Sequence, residues 1–330
     1  MLTKFVVDET LLSSVLEPLG SVDSLEPLTG GMFATAYRVT FTDGRRAVAK
    51  IVGADATRLF TYERGLLATE ALTYRMLAST GVPVPEVLHT DFTRSILDAD
   101  IVVADHLPGT PWLSLELDET ATATVRRNLG AVMACIAQEP APAFGYPAAQ
   151  AGLAADTWSA AFRLMVEAVL ADAERWQVEL PAARARAVLA THSGALGAVT
   201  HPRIVHTDLW EGNIFVDPET LEIVGVIDTE RTVWGDPILE VVGTDQFATG
   251  APDADVLFGD AEARGDLARE LSSPTGEIRL RLYRLYFSLI LASEPTIRGY
   301  EGDWTAGHEA TARANIEHAL QILEATAPAR

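Results

Sequence analysis

Residues 204–237 read IVHTDLWEGNIFVDPETLEIVGVIDTERTVWGDP and place Asp208, Asn213 and Asp228 around two short β-rich runs. Carboxylate and amide oxygens are the ligands that hard divalent cations prefer, and a carboxylate can also orient a hydroxyl and accept its proton. Each residue alone is equally typical of a turn between strands. The three in this order predict a site that holds magnesium beside a reacting hydroxyl, which indicates phosphoryl transfer.

Lysine is rare in this chain, because 23 of the 25 basic residues are arginine and only Lys4 and Lys50 are lysine. Lys50 lies in the apolar, β-capable run 46–52, where an unpaired charge is costly. A compact ammonium can lie between phosphate oxygens and a carboxylate, whereas the guanidinium of arginine is larger and planar. Lys50 is therefore predicted to contact phosphate. The structural alternative is a lysine that extends from a strand end to solvent.

The sequence around Lys50 and Asp208 resembles the protein kinase fold. Residues 48–51, Val-Ala-Lys-Ile, resemble its lysine strand, and the His-Thr-Asp of 206–208 with Asn213 resembles its catalytic loop. Thr207 and Thr229 stand where protein kinases have arginine and glycine.

The resemblance is closest to the aminoglycoside phosphotransferase and fructosamine kinase group of small-molecule kinases. It rests on His-x-Asp-Leu-Trp-x-Gly-Asn at 206–213, Ile-Asp-x-Glu at 227–230 and Trp-Gly-Asp-Pro at 234–237. The ordered motifs run from about residue 28 to residue 237, which is about two thirds of the chain.

The resemblance implies an α+β, two-lobed protein-kinase-like fold, with an antiparallel sheet and one helix in the N-lobe and a mainly helical C-lobe. We predict a nucleotide-binding lobe over residues 1–107 and a catalytic, substrate-binding lobe over 108–330. The family's linker strand would bind adenine, and the turn after the first strand would cover the phosphates. The residues expected to bind ATP or GTP are Lys50, Gly30, Gly31, Thr35, Val103, Ala104, Asp105 and His106.

The resemblance also implies the roles of the motif residues. Asp208 is expected to act as the base, while Asn213 and Asp228 hold Mg²⁺. Lys50 would contact the phosphates, and Glu70 would pair with it. Glu63 is the alternative partner, because the two glutamates lie seven residues apart on one face of a helix predicted over 58–78.

Four residues are candidates for binding the acceptor. Acidic side chains could bind amino groups, and an indole could stack on a sugar or contact a cation. The candidates are Glu230, Asp236, Asp245 and Trp210. Asp236, directly before Pro237, is equally suited to capping the following helix.

The composition is typical of a folded protein, with 48% apolar and 22% charged residues. A net charge of −21 disfavours nucleic acid and anionic membranes as partners and weakly favours a cationic ligand, although acidic surfaces also serve solubility. No long apolar run and no leader-like N-terminus occurs, so we predict a cytoplasmic protein. The single cysteine excludes an intrachain disulfide.

Hydrophobic periodicity and turn residues predict local structure along the whole chain. The expected strands are 24–28, 36–41, 47–52 and 101–104. The expected helices, besides one before residue 20, are 58–78, 119–136, 156–178, 182–198, 277–292 and 307–325.

The motifs and the resemblance together imply an ATP- or GTP-dependent kinase that phosphorylates a hydroxyl of a small amino sugar or aminoglycoside-like antibiotic. A role in antibiotic resistance and a metabolic role both stay open. A metabolic kinase of an amino sugar, fructosamine or other small alcohol is the first alternative. A pseudokinase-like binding protein is the second, although all five catalytic positions carry competent side chains. The acceptor, the choice between ATP and GTP, and the oligomeric state stay open at this point.

Overall fold

The structure is a computed structural model that describes residues 5–29, 33–54 and 58–328. The N-terminal part contains two helices and one five-stranded sheet. These elements are α1 Glu9–Leu16, β1 Val22–Leu28, β2 Thr35–Phe41, β3 Arg46–Gly53, α2 Leu66–Leu77, β4 Val87–Asp91 and β5 Ala99–Asp105. All neighbouring strands pair antiparallel, in the order β1-β2-β3-β5-β4. The four predicted strands are confirmed, whereas β4 was not predicted.

The alternation of side chains along β3 decides which way its lysine points. Ala47, Ala49 and Ile51 are fully buried in a cluster that also contains the apolar face of α1. Since successive strand residues face opposite sides of a sheet, Lys50 projects from the other face. That face is covered by α2, whose Leu67 packs on the neighbouring strand β5. The strand pattern thus directs the ammonium towards α2.

The C-terminal part is mainly helical and contains two small antiparallel sheets. Its strands are β6 Thr110–Pro111, β7 Phe144–Gly145, β8 Ala154–Ala155, β9 Arg203–Val205, β10 Ile214–Val216, β11 Ile223–Val226 and β12 Val233–Gly235. Its helices are α3 Glu119–Gln138, α4 Trp158–Arg175, α5 Ala182–Thr191, α6 Ser193–Leu196, α7 Ile238–Thr244, α8 Ala254–Glu262, α9 Leu267–Leu271, α10 Gly276–Arg298 and α11 Trp304–Ala325. The sheets have the orders β11-β10-β6 and β8-β7-β12-β9.

The segment before α2 belongs to the C-terminal core, although it precedes the sheet's last two strands. Phe60 and Tyr62 are buried in the large C-terminal hydrophobic cluster. The Thr61 amide donates to the Asp172 carboxylate on α4 at 2.6 Å. The helix predicted from residue 58 therefore begins only at Leu66, after one 3₁₀ turn and Gly65 with φ 79°. A division at residue 107 stays a prediction, since this core crosses it.

The chain passes from the first sheet to the C-terminal part along a close-packed linker. Gly109 has φ 92°, and a Cβ there would lie 2.5 Å from Val224 Cγ2, so a side chain would be both strained and obstructed. Strand β6 follows at once and pairs with β10, the strand that comes after the catalytic motif. No helix in the described ranges is long and apolar enough to cross a membrane.

Candidate active site

The Lys50 ammonium joins three elements. It lies 2.6 Å from Glu70 Oε1 on α2, and it also pairs with Asp228 Oδ1 after β11. Burial alone would lower the pKa of Lys50, but the charges of Asp228 and Glu70 raise it well above its ordinary value. The lysine therefore keeps its positive charge, and it connects the N-terminal sheet to the C-terminal motif.

Glu70 is buried and held by its neighbours. The Tyr74 hydroxyl donates to Glu70 Oε1 at 2.6 Å, and the Asp228 amide donates to that hydroxyl at 3.1 Å. Burial raises the pKa of Glu70, which the charge of Lys50 partly offsets. Glu63, the alternative partner, instead forms a buried ion pair with Arg298 on α10. The structure thus brings Glu70, and not Glu63, to the lysine.

Buried polar groups of neighbouring elements hold the loop that contains Asp208. Glu240 on α7 accepts hydrogen bonds from the amides of His206 and Thr207, at 2.6 and 2.9 Å. His206 Nε2 donates to the Ile227 carbonyl at 2.9 Å, and its Nδ1 accepts from the Asp208 amide at 3.3 Å. Burial lowers the pKa of His206 to about 4. The imidazole is therefore neutral, and its two hydrogen bonds brace the loop.

Asp208 lies between two side-chain amides. Asn213 Nδ2 donates to Asp208 Oδ2 at 3.1 Å and to its carbonyl at 2.9 Å, while Gln246 Nε2 donates to Oδ1 at 2.7 Å. Burial raises the pKa of Asp208 to about 6, against the opposing charge of Arg231, and the charge of Asp228 adds to the rise. At neutral pH the group is a carboxylate, and its basicity is higher than that of an exposed aspartate.

The oxygen donors of Asn213 and Asp228 fit magnesium. The side-chain nitrogen of Asn213 donates to Asp208, which leaves its Oδ1 for another partner. Asp228 binds Lys50 through Oδ1 alone, and its side chain is 32% exposed. In the described part of the chain no three His, Cys, Asp or Glu side chains are grouped to hold a metal. Magnesium needs no such group, because it is usually bound through one or two side chains plus water and phosphate oxygens.

The turn after β11 begins with a residue in the left-handed backbone region, which sets the direction of its side chains. Asp228 has φ 63° and ψ 44°, in the left-handed region that Asp tolerates better than most residues. The Thr229 hydroxyl donates to the Glu70 carbonyl at 3.3 Å. Glu230 is half-buried, and burial raises its pKa against the opposing charge of Lys50, while Asp228 raises it further. Glu230 is thus a charged neighbour of Lys50 and Asp228.

The residues predicted to bind nucleotide are only partly described. Gly30 and Gly31 lie outside the described residues. Thr35 begins β2, and its hydroxyl donates to the Phe5 carbonyl at 2.9 Å. Val103, Ala104 and Asp105 end β5, and His106 follows it. The amide of Asp105 donates to the Glu86 carbonyl at 2.9 Å.

The four acceptor candidates lie in different environments. Trp210 is 42% exposed beside the catalytic loop, and Asp245 is exposed after α7. Asp236 is buried, accepts from the Ile238 amide at 3.1 Å and pairs with Arg279 at 2.7 Å. These contacts match the capping interpretation of Asp236. Glu230 lies in the turn after β11, where burial raises its pKa and the charge of Lys50 opposes the rise.

Several residues of this region were missed by the sequence analysis. Arg231 donates to Glu294 at 2.6 Å and to the Tyr62 hydroxyl at 2.8 Å, and it is a charged neighbour of Asp208. Glu240 and Gln246 were also missed. Glu240 resembles any helix glutamate in sequence, and no local pattern marks Gln246. The one available signal for Arg231 was its position three residues after Asp228, a predicted magnesium ligand.

A family model covers most of the chain. A model of the phosphotransferase enzyme family matches residues 24–274. A comparison with curated proteins gives no significant match.

Solved structures show the same fold. A thermostable mutant of aminoglycoside phosphotransferase APH(4)-Ia, solved with ADP and hygromycin B, is 21% identical with TM-score 0.63, covering 95% of this chain and 98% of that one. A proposed fructosamine-3-kinase from Thermobifida fusca YX-ER1 is 20% identical with TM-score 0.66, covering 96% and 100%. Macrolide 2'-phosphotransferase MphH from Brachybacterium faecium is 21% identical with TM-score 0.57, covering 92% and 97%.

The family model spans more than half of the chain, and the α+β, two-lobed architecture is the one expected from the motifs. Both the resemblance and the fold class predicted from the sequence are therefore confirmed. The chain belongs to the phosphotransferase enzyme family, whose members are small-molecule kinases with a protein-kinase-like fold.

Proposed function

We propose that this enzyme transfers the terminal phosphoryl group of ATP or GTP to a hydroxyl of a small amino sugar or aminoglycoside-like antibiotic. One observation carries the proposal: the Lys50 ammonium of the N-terminal sheet pairs with Asp228 of the C-terminal motif, while Asp208 and Asn213 lie in mutual hydrogen-bond contact on the same loop. The nucleotide complexes of the APH(4)-Ia structures support nucleotide as the donor.

In the proposed reaction, Asp208 orients the acceptor hydroxyl and takes its proton late in an in-line attack. Orientation is its main task, because the transition state is largely dissociative in most analyses. Lys50 contacts the donor's phosphates, and Glu70 holds the ammonium in place. Magnesium, held by Asn213 and Asp228, would neutralise charge on the phosphate oxygens.

The nucleotide base is assigned to the end of β5. We assign it to the backbone of Val103, Ala104, Asp105 and His106, apart from the amides of Asp105 and His106, which donate to the carbonyls of Glu86 and Arg46. We assign the phosphate cover to Gly30, Gly31 and Thr35, in the segment between β1 and β2. The acceptor is assigned to the surface between Trp210 and Asp245, with Glu230 facing the donor side. Asp236 is left out of this assignment because its carboxylate caps α7 and pairs with Arg279.

A metabolic role is the second candidate, and one observation favours it. Glu294, a charged neighbour of Asp208, is bound by both Arg231 and Arg298. A carboxylate that is already paired attracts an ammonium less strongly, so this side of the cleft suits an acceptor with few amino groups. A fructosamine or other small alcohol fits that description better than a polycation does.

A phosphotransfer screen tests both candidates. Purified enzyme is incubated with radiolabelled ATP or GTP, with and without Mg²⁺, and with hygromycin B, other aminoglycosides, a macrolide, a fructosamine and simple amino sugars. Acceptor-dependent label transfer that needs Mg²⁺ and is strongly reduced in Asp208→Asn is expected. Nucleotide binding without transfer to any acceptor would instead support a binding protein, and equal transfer by Asp208→Asn would remove the assigned base.

A further inference from the structure

Helix α7 and Gln246, two residues beyond its end, support the catalytic loop at three points. Glu240 binds two amides of the loop, as described above. Gly243 packs so closely on the loop that a Cβ there would lie 2.6 Å from the carbonyl carbon of Thr207. Gln246 then reaches Asp208 itself, at 2.7 Å. The three-residue spacing of Glu240 and Gly243 brings both to one face of the helix.

The segment that carries Gln246 is itself held in place. Arg284 on α10 donates to the Asp245 carbonyl at 2.6 Å, and Asn315 on α11 donates to the Phe247 carbonyl at 2.8 Å. The Phe247 ring also packs edge-on against His308, with 5.0 Å between centroids. Both neighbours of Gln246 are thus held by the long C-terminal helices. These contacts fix the position from which the Gln246 amide donates to Asp208.

The two side-chain amides bind different oxygens of the Asp208 carboxylate. Gln246 binds Oδ1 and Asn213 binds Oδ2, and since each carboxylate oxygen can accept about two hydrogen bonds, lone pairs remain for the acceptor hydroxyl. A glutamine amide donates without taking the proton, so it can fix the carboxylate plane without competing as a base. Asn213 is assigned to magnesium, which leaves Gln246 as the group whose contact with the carboxylate has no other assigned task.

We infer that Gln246 is a positioning residue for Asp208, holding the carboxylate in the orientation that receives the proton of the acceptor hydroxyl. The inference rests on the proposed function, because it needs Asp208 to be the base. It assigns to the turn after α7 a task in the reaction that the motif residues alone do not reveal.

Three variants of Gln246 test this role with the best acceptor found among hygromycin B, a macrolide and a fructosamine. Gln246→Leu removes the donor and is expected to lower kcat by about tenfold, while Gln246→Glu keeps the shape but places a like charge on Asp208 and should lower kcat by about a hundredfold. Gln246→His restores an N–H donor and is expected to recover part of the rate. KM for nucleotide and the calorimetric affinity for AMP-PNP should stay unchanged in all three.

The matched control is Gln321→Leu on the exposed surface of α11, where the amide donates to Glu317 at 3.0 Å. Its kcat should equal that of the wild type. A wild-type kcat in Gln246→Glu would overturn the inference, because a residue that only packs tolerates its isostere. Raised nucleotide KM with unchanged kcat in Gln246→Leu would also overturn it.

A double-mutant cycle separates this inference from the proposed function. If Gln246 acts through Asp208, then Gln246→Leu should cause no further loss in an Asp208→Asn background. An undiminished tenfold loss there would overturn the positioning role and leave Asp208 as the base. Full activity of Asp208→Asn alone, or no transfer by the wild type to any acceptor, would remove the proposed function, and the inference with it.

Discussion

Lys50 Nζ lies 2.6 Å from Glu70 Oε1, and the second oxygen of that buried carboxylate, Oε2, has no hydrogen-bond partner among the described residues. Glu70 therefore depends on one ammonium and one tyrosine hydroxyl to compensate for the loss of water. Because a buried charge without a partner is costly, the pair is sensitive to replacement of either member.

Replacing Lys50 should reduce phosphotransfer much more than it reduces folding. Lys50→Met removes the cation assigned to the phosphates, and we expect kcat/KM for MgATP to fall by about 10²- to 10³-fold. Lys50→Arg should not restore the rate, because the larger planar guanidinium cannot occupy the same position between Glu70 and Asp228. The measurement is a steady-state assay over a range of MgATP concentrations.

The control for the lysine is Arg186→Met, which removes a cation from an exposed ion pair with Glu167. Its kcat/KM should match that of the wild type. A Lys50→Arg enzyme with wild-type kinetics would contradict the assigned geometry.

His206 should make the folded protein less stable in acid. Its pKa in the folded state is about 4, below the value near 6.5 expected for an unfolded chain, so the unfolded state binds its proton first as the pH falls. This stabilising contribution is complete above about pH 6.5 and is lost as the pH falls towards 4, by about 3 kcal/mol at most. Urea unfolding of the wild type and His206→Gln between pH 7.5 and 4.5 measures it.

The glutamine variant should show a shallower loss of unfolding free energy with falling pH, since it has no proton to bind. His201→Gln, at an exposed position, serves as the control and should retain the wild-type slope. Identical slopes for His206→Gln and the wild type would refute the assignment of a buried neutral imidazole.

Gly243→Ala should displace the catalytic loop. The added methyl group would lie 2.6 Å from the Thr207 carbonyl carbon, and backbone cannot move aside as a flexible side chain can. We expect a loss of about 1–3 kcal/mol in unfolding free energy, together with a reduced kcat. Gly250→Ala is the matched control, because a Cβ there meets nothing within 4 Å. Equal stability and kcat for the two variants would contradict this prediction.

The buried pair of Glu63 and Arg298 should couple the segment before α2 to α10. Removing one partner leaves the other charge buried, so Glu63→Gln and Arg298→Met should each cost about 3 kcal/mol or more of unfolding free energy. The double variant should lose less unfolding free energy than the sum of the losses in the two single variants. The exposed pair of Asp266 and Arg269 provides a comparison that should give about zero coupling. If the losses of unfolding free energy in the Glu63 and Arg298 variants add strictly, the ion pair itself does not stabilise the fold.

Most of the fold could be predicted because its signals are local. Alternation along 36–41 and 47–52 predicts β2 and β3, and the long helical periodicities predict α3, α4, α10 and α11. Strand β4 was missed since its five residues include His89, Thr90 and Asp91 and show no buried alternation. The start of α2 was placed too early, because Thr61 makes hydrogen bonds with Asp172, on a helix more than a hundred residues away.

The site was predictable where its residues are close in sequence or carry a motif. Asp208, Asn213 and Asp228 lie within 21 positions and do converge. Choosing Glu70 over Glu63 was possible only by resemblance, since both occupy one predicted helix face. The support from Glu240 and Gln246 was not predictable, because glutamate and glutamine side chains are ordinarily solvated, and only the packing of α7 and the turn after it on the loop gives these two a task.

The sharing of one core by both halves of the chain has a practical consequence for protein engineering. Phe60, Tyr62, Leu77 and Val82 are interior residues of the C-terminal cluster, although all four precede the linker. A fragment that ends at the linker would expose them to water and would be expected to aggregate. Chimaeras that exchange donor specificity between relatives should therefore graft loops onto an intact chain and should not join halves at residue 107.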